Sequence, residues 1–161
     1  MEGQNNALLA LEKVLIPTTR CPAPPHIEES EQRLHIAVIF TSMESTITAL
    51  RKAGALAASL NARITLLVFQ LVPYPLPLES PPVLLDWNER RFQAIAAESP
   101  VETTVRLYLC RDTADILASA LHSKSVIVLG GSKNPWPFTR EKRLARQLRQ
   151  RGHEVIFTQT E

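Results

Sequence analysis

From residue 34 to the end, the chain repeats two hydrophobic patterns in turn. Short apolar or alternating runs, typical of buried and half-buried strands, cover 34–40, 63–71, 101–109, 126–129 and 153–158. Apolar residues at helical spacing cover 45–60, 84–98, 113–122 and 139–151 between them. Strands and helices that alternate with short connections predict an α/β domain, an open five-stranded parallel sheet with helices on both faces.

Two details of this pattern give local predictions. The regular alternation in 101–109 indicates an edge strand, because such a strand shows one side to solvent. Asn61 follows the apolar stripe of the first helix and predicts a left-handed stop, a conformation that asparagine tolerates.

The first 33 residues predict a separate N-terminal extension, partly disordered or docked, ahead of a domain at 34–161. Prolines at 17, 22, 24 and 25 oppose regular structure, and the acidic run at 28–31 is typical of a solvated linker. One short amphipathic helix over 5–16, or an edge strand at 13–17, are the two ordered alternatives.

Composition narrows the class of protein. The 161 residues are 45% hydrophobic and 21% charged, which is ordinary for one globular domain. A net charge of +2 is too small to indicate a nucleic-acid partner. No apolar run reaches the ~18 residues of a membrane span. The expected location is the cytoplasm.

Reactive side chains do not cluster in the sequence. The two cysteines, Cys21 and Cys110, are far apart, and the four histidines lie in unrelated contexts, so we expect no metal site. No paired carboxylates and no Gly-x-Ser-x-Gly elbow are present, so we expect no catalytic residue. Cys110 follows a strand and is either a reactive thiol at a crevice or a small buried residue.

The turn after the fourth strand is the candidate binding site. Ligands of open α/β sheets bind beyond the carboxyl ends of the strands, where backbone N–H groups favour anions. The candidate contacts are Gly130, Gly131, Ser132, Lys133 and Arg140. The alternative is a tight turn that only joins a strand to the Pro135–Pro137 corner. Trp136 and Phe138 either fill the ligand position or pack at its rim.

The last predicted helix is strongly basic. Its buried stripe is Leu144, Ala145 and Leu148, and the opposite face carries Lys142, Arg143, Arg146 and Arg149. Such a face is either solvated or docks an acidic protein partner. No aromatic residue is interleaved with these cations, so binding of single-stranded nucleic acid is not indicated.

Residues 34–158 resemble the universal stress protein family in layout. The matching blocks are the strand 36–40, then Thr41-Ser42-Met43, Ala49-Leu50, Leu56-Ala57, the segment 61–67, the positions Cys110, Asp112 and Ile116, and the strand that reaches Gly130. The resemblance implies a Rossmann-like sheet of the adenine nucleotide alpha hydrolase type, with strand order 3-2-1-4-5. It also implies a homodimer formed through the last strand, 153–158.

The chain departs from the family where ATP-binding members hold the nucleotide. Their loop is Gly-x-x-Gly-(nine residues)-Gly-Ser/Thr; here Gly130 fits, but Lys133 and Arg143-Leu144 stand at the later positions. The family aspartate after the first strand is Thr41. Side chains therefore stand where glycine lets the backbone approach phosphate. We expect no ATP bound in the family manner and no cofactor.

These observations predict a non-catalytic regulatory or interaction domain. One alternative is a sensor of a nucleotide or phosphate ligand at Gly130–Lys133, with Thr41 and Arg140 contributing. Another is a module that docks an anionic partner on 139–151. A third is an enzyme related to the nucleotide-binding hydrolases and ligases.

Overall fold

The computed structural model describes residues 10–15, 34–79, 81, 85–121 and 125–160. The elements within these residues are β1 (Ala10–Leu15), β2 (His35–Ile39), α1 (Met43–Leu60), β3 (Arg63–Leu71), α2 (Leu85–Ala96), β4 (Thr103–Cys110), α3 (Thr113–Ala120), β5 (Val126–Gly131), α4 (Arg140–Gln150) and β6 (Glu154–Gln159). The strands form one sheet in the order β1-β4-β3-β2-β5-β6. The α/β class predicted from the sequence is confirmed.

The five strands from β2 onward are parallel neighbours in the predicted order, with β2 in the middle. The prediction of a five-stranded, all-parallel sheet is wrong in one respect. β1 adds a sixth strand, antiparallel to β4, with Leu11 opposite Leu109. It supplies backbone partners that an exposed edge of β4 would lack. The proposed boundary between 33 and 34 stays a prediction.

The prediction that 101–109 forms an edge strand is also wrong, because β1 covers β4. Side chains tie the two strands together. Glu12 accepts a hydrogen bond from the Tyr108 hydroxyl at 3.2 Å and pairs with Arg106 at 3.7 Å, and Lys13 pairs with Glu89. The alternation in β4 has another cause: Thr104 and Arg106 line a pocket under the end of α3.

One face of the sheet, called here the closed face, is covered by α1 and α2. Ser42 caps α1 by accepting a hydrogen bond from the Ser45 N–H at 3.3 Å. As predicted, Asn61 ends the helix in the left-handed conformation, at φ 49°. Leu50 and the small residues Ala49, Ala53 and Ala57 are buried against the strands. Small side chains let this helix lie close to the sheet.

The other face, called the open face, is covered by α3 and α4. Its core is formed by Ala37, Ile39, Leu67, Tyr108, Leu117, Ile127, Leu129, Ala145, Leu148 and Val155. Asp112 caps α3 by accepting from the Ala114 N–H at 2.8 Å, and Thr139 caps α4 by accepting from the Lys142 N–H at 3.4 Å. Among the helices that the structure describes, none has the length and hydropathy needed to cross a bilayer.

Candidate ligand-binding cleft

A cleft of about 450 Å³ lies on the open face, at the carboxyl ends of β2 and β3 and between the first turns of α3 and α4. Its lining residues are Ile39, Phe40, Thr41, Phe69, Thr113, Leu117, Arg140, Glu141, Arg143, Leu144 and Gln147. This is the position at which open α/β sheets bind ligands, because the loops there diverge to opposite sides of the sheet. The volume lies within the range of small-molecule sites.

The floor of the cleft is apolar and partly aromatic. Phe69, near the end of β3, faces Leu117 of α3 and Leu144 of α4 across the floor. Phe40 follows β2 and also lines the cleft, although its ring packs edge to face on Phe92 of α2, with centroids 5.2 Å apart. The Phe69 ring stacks on Tyr108, with centroids 5.3 Å apart and planes 16° from parallel. This stack holds Phe69 in place, so the floor suits a flat, apolar ligand group.

One wall of the cleft is cationic. Arg140, Arg143 and Gln147 are spaced three and four residues apart on α4, which places them on one side of the helix. Glu141 is the acidic residue among the lining residues. The two guanidinium groups exceed this single carboxylate, so the wall favours an anionic group.

Thr41 lines the cleft, but its hydroxyl group is used within the protein. It donates a hydrogen bond to the Gly130 carbonyl at 2.8 Å, while the Thr41 N–H donates to the Thr46 hydroxyl at 3.1 Å. Thr41 therefore ties the β2–α1 turn to the end of β5. Gly130 itself is a packing position, since a Cβ there would lie 2.0 Å from the Ser45 carbonyl oxygen.

The rest of the predicted glycine turn lies outside the cleft lining. A Cβ on Gly131 would lie 2.3 Å from the Phe157 ring, and its carbonyl accepts a hydrogen bond from the Thr160 N–H at 3.2 Å. Ser132 and Lys133 are exposed. Of the predicted contacts, Thr41 and Arg140 line the cleft, and Gly130, Gly131, Ser132 and Lys133 do not. A ligand role for these residues stays a prediction.

The interpretation that Trp136 and Phe138 fill the ligand position is wrong. Their side chains are 63% and 60% exposed and contact each other edge to face, with centroids 6.3 Å apart. The loop that carries them is fixed by the Lys142 ammonium group, which donates to the carbonyls of Asn134 and Trp136 at 2.8 and 3.0 Å. The cleft is therefore open.

The cations on the basic face of α4 differ in whether they form hydrogen bonds within the protein. Lys142 holds the Trp136 loop, and the Arg149 guanidinium donates to the Val155 carbonyl at 3.1 Å. Arg143 and Arg146 are exposed. Arg143 was not predicted as a cleft residue, although its spacing of three from Arg140 was the available signal in the sequence. Docking of an acidic protein on this helix stays a prediction.

Cys110 is fully buried in β4, and its thiol lies 3.8 Å from the Gln70 carbonyl. Burial raises the pKa of this thiol, and the nearby Asp112 carboxylate raises it further. Both effects favour the unreactive neutral form. Cys21 lies outside the described residues. Within the described ranges, no three His, Cys, Asp or Glu side chains come together as metal ligands would.

The architecture is that of known structures. A universal stress protein family structure from Burkholderia pseudomallei matches with TM-score 0.53 and 25% identity, covering 77% of this chain and 94% of that one. A universal stress protein in complex with cAMP matches with TM-score 0.52 and 18% identity, over 80% and 98% of the two chains. A universal stress protein from Archaeoglobus fulgidus in complex with dAMP matches with TM-score 0.50 and 14% identity, over 78% and 96%.

Neither a protein-family model nor a curated protein matches the sequence. The likeness is therefore one of three-dimensional structure. The chain is a universal-stress-protein-like α/β domain, as the layout of its sequence indicated.

Proposed function

We propose that this domain is a non-catalytic regulatory module that binds an anionic ligand of the nucleotide class in the cleft between α3 and α4. The observation that carries the proposal is the juxtaposition of an apolar, partly aromatic floor with two arginines on one wall. A nucleotide has the matching halves, a flat base and a charged phosphate. The universal stress proteins of similar fold that hold cAMP and dAMP support this ligand class.

The proposed ligand contacts differ from those of the glycine loop in ATP-binding members of the family. Lys133 stands at the second glycine position, and Gly130 packs against α1 rather than lining the cleft. The phosphate is instead held by Arg140 and Arg143, whose planar guanidinium groups form paired hydrogen bonds with phosphate oxygens. Two arginines match the single phosphate group of AMP or cAMP better than the three phosphate groups of ATP. We therefore expect AMP or cAMP to bind more tightly than ATP.

Calorimetric titration of the full chain with AMP, cAMP and ATP tests the proposal. Arg143→Ala removes a cleft cation and should weaken AMP binding about tenfold, as expected for loss of a charge-assisted hydrogen bond. Arg146→Ala is the matched control, since Arg146 is exposed on the same helix and does not line the cleft. It should change the affinity less than twofold.

Equal losses in the two variants would show that only the net charge matters and would reject the cleft as the site. Tighter binding of ATP than AMP, unchanged in Arg143→Ala, would reject the proposed contacts. The non-catalytic part is tested separately by ³¹P NMR. Conversion of bound nucleotide on prolonged incubation, abolished by the same cleft variant, would overturn it.

We also propose that the domain forms a homodimer through β6. β6 is the outer strand on its side of the sheet, and the backbone groups on its outer side can pair with a second copy. Ile156→Pro should give a monomer in sedimentation velocity, with the fold checked by circular dichroism. Val14→Pro in β1, at the other edge, is the matched control. A monomer from Val14→Pro and a dimer from Ile156→Pro would place the interface at the β1 edge and overturn this proposal.

A further inference from the structure

A second pocket, of about 150 Å³, lies at the opposite end of the open face. It is formed at the amino ends of the parallel strands, below the last turn of α3. The lining residues that matter here are Ala37, Arg63, Thr65, Thr104, Arg106 and Ser125. It shares no lining residue with the cleft, and the charged cleft residues Arg140, Glu141 and Arg143 lie at the other end of the face.

The strand register explains why a pocket forms there. Ala37, Thr65 and Thr104 are direct neighbours on β2, β3 and β4, and all three have small side chains. α3 has only eight residues and ends at Ala120 above this row. Small side chains beneath a helix end leave space that is not filled by packing.

The charged residues around the pocket are cations. Arg63 lies at the start of β3, directly opposite His35 on β2, and Arg106 lies opposite Leu67, two residues beyond the Thr65–Thr104 pair. No acidic side chain is among the described residues that line the pocket. Two guanidinium groups around one small space repel each other unless an anion lies between them.

Arg106 is held from outside the pocket. Its Nη1 pairs with the Glu12 carboxylate at 3.7 Å, whereas its Nε is buried and has no hydrogen-bond partner among the described residues. A buried donor without a partner is costly, and an oxyanion is the acceptor that guanidinium groups bind best. The carboxyl end of α3 carries about half a negative charge, which disfavours an anion. The two positive charges exceed the Glu12 carboxylate and the helix end together by about half a charge.

We propose that this pocket is a second binding site, for a small oxyanion of the phosphate type, held by Arg63 and Arg106 with the Thr65 and Thr104 hydroxyl groups as additional donors. The site is separate from the nucleotide cleft and does not depend on it. Since Arg106 pairs with Glu12 of β1, anion binding there links the pocket to the docked N-terminal strand.

The test is a ¹H–¹⁵N NMR titration of the full chain with inorganic phosphate at constant pH and constant ionic strength. We expect saturable shifts of the amides of Thr65, Thr104 and Ser125. Arg63→Ala should weaken the fitted affinity about tenfold, because one charge-assisted contact is lost. Arg90→Ala, an exposed arginine on α2 at the closed face, should leave it within twofold.

A doubly substituted chain, Arg140→Ala with Arg143→Ala, separates the two sites and should bind phosphate at this pocket as the unsubstituted chain does. Thr104→Val keeps the charges and the side-chain shape, so it provides a second test if Arg63→Ala does not fold, and it should also weaken binding. Shifts confined to the cleft residues, a linear non-saturating response, or equal affinities in Arg63→Ala and Arg90→Ala would overturn the proposal.

Discussion

The two faces of the sheet differ in how much of each strand a helix covers. On the closed face, α1 has 18 residues and spans about 27 Å at 1.5 Å per residue. On the open face, α3 has eight residues and spans about 12 Å. The short helix therefore extends along about 15 Å less of its strands than the long one. The cleft and the smaller pocket lie at the two ends of α3, lined by Thr113 and Ala120 respectively.

The two faces also differ in how deeply their helix residues are buried. Leu50, Ala49 and Ala53 on the closed face are completely buried. Leu144 on the open face is only half-buried, and it lines the cleft together with arginines. Substitutions on the closed face should therefore cost stability, and substitutions at the cleft should change binding with little effect on folding.

The largest expected effect is on the closed face. Leu50→Ala should lower the free energy of unfolding by about 4 kcal/mol, because a fully buried leucine leaves a cavity. Leu144→Ala, the same change on the open face, should cost only about 1 kcal/mol, because its site already borders solvent. Urea unfolding of both variants gives the comparison. Equal losses would show that the two faces contribute alike to stability.

The adjacent glycines at the end of β5 extend the comparison to the backbone. Gly130→Ala directs a methyl group at the Ser45 carbonyl in α1, which cannot move without shifting the helix. Gly131→Ala directs one at the Phe157 ring tip, which can rotate away. We expect losses of about 3 and about 1 kcal/mol respectively, since overpacking against backbone is the costlier case. Thermal unfolding would contradict this account if Gly131→Ala were the less stable variant.

The smallest expected effect is at the loop beside the cleft. Lys142→Ala removes both hydrogen bonds to the Asn134 and Trp136 carbonyls but should cost less than about 1 kcal/mol, because these bonds are exposed. The loop should become more mobile. Fluorescence anisotropy of Trp136, measured in a Trp87→Phe background, reports this motion, and Lys52→Ala on α1 is the control. Unchanged anisotropy would show that the prolines alone fix the loop.

Local signals in the sequence were sufficient for most of the fold. Asn61 marked the end of the first helix, and Thr139 the start of the last, where the structure has them, because caps act through hydrogen bonds and backbone conformation over a few residues. β1 could not be placed in this way. Its pairing with β4 depends on contacts between residues far apart in the chain, such as Glu12 with Tyr108, which are 96 positions apart.

The candidate site was less predictable than the fold. The glycine turn stood out in the sequence, but Gly130 and Gly131 serve close packing against α1 and Phe157. Arg143 had been assigned to a surface for an acidic partner, and the structure also places it on the cleft wall. A one-dimensional pattern shows that a side chain is on a helix surface but not what lies opposite it.

By itself, the sequence determined the class of the domain, most helix ends and the absence of a complete glycine loop for ATP, whereas the order of the parallel strands was implied by the family resemblance. Hydrophobic periodicity and capping chemistry carry that information locally. Only the tertiary structure decided that the cleft and the smaller pocket lie at the two ends of α3, that Trp136 stays outside the cleft, and that Arg63 and Arg106 share one pocket. These properties arise where segments distant in the chain meet, and packing there is set by all of the partners together.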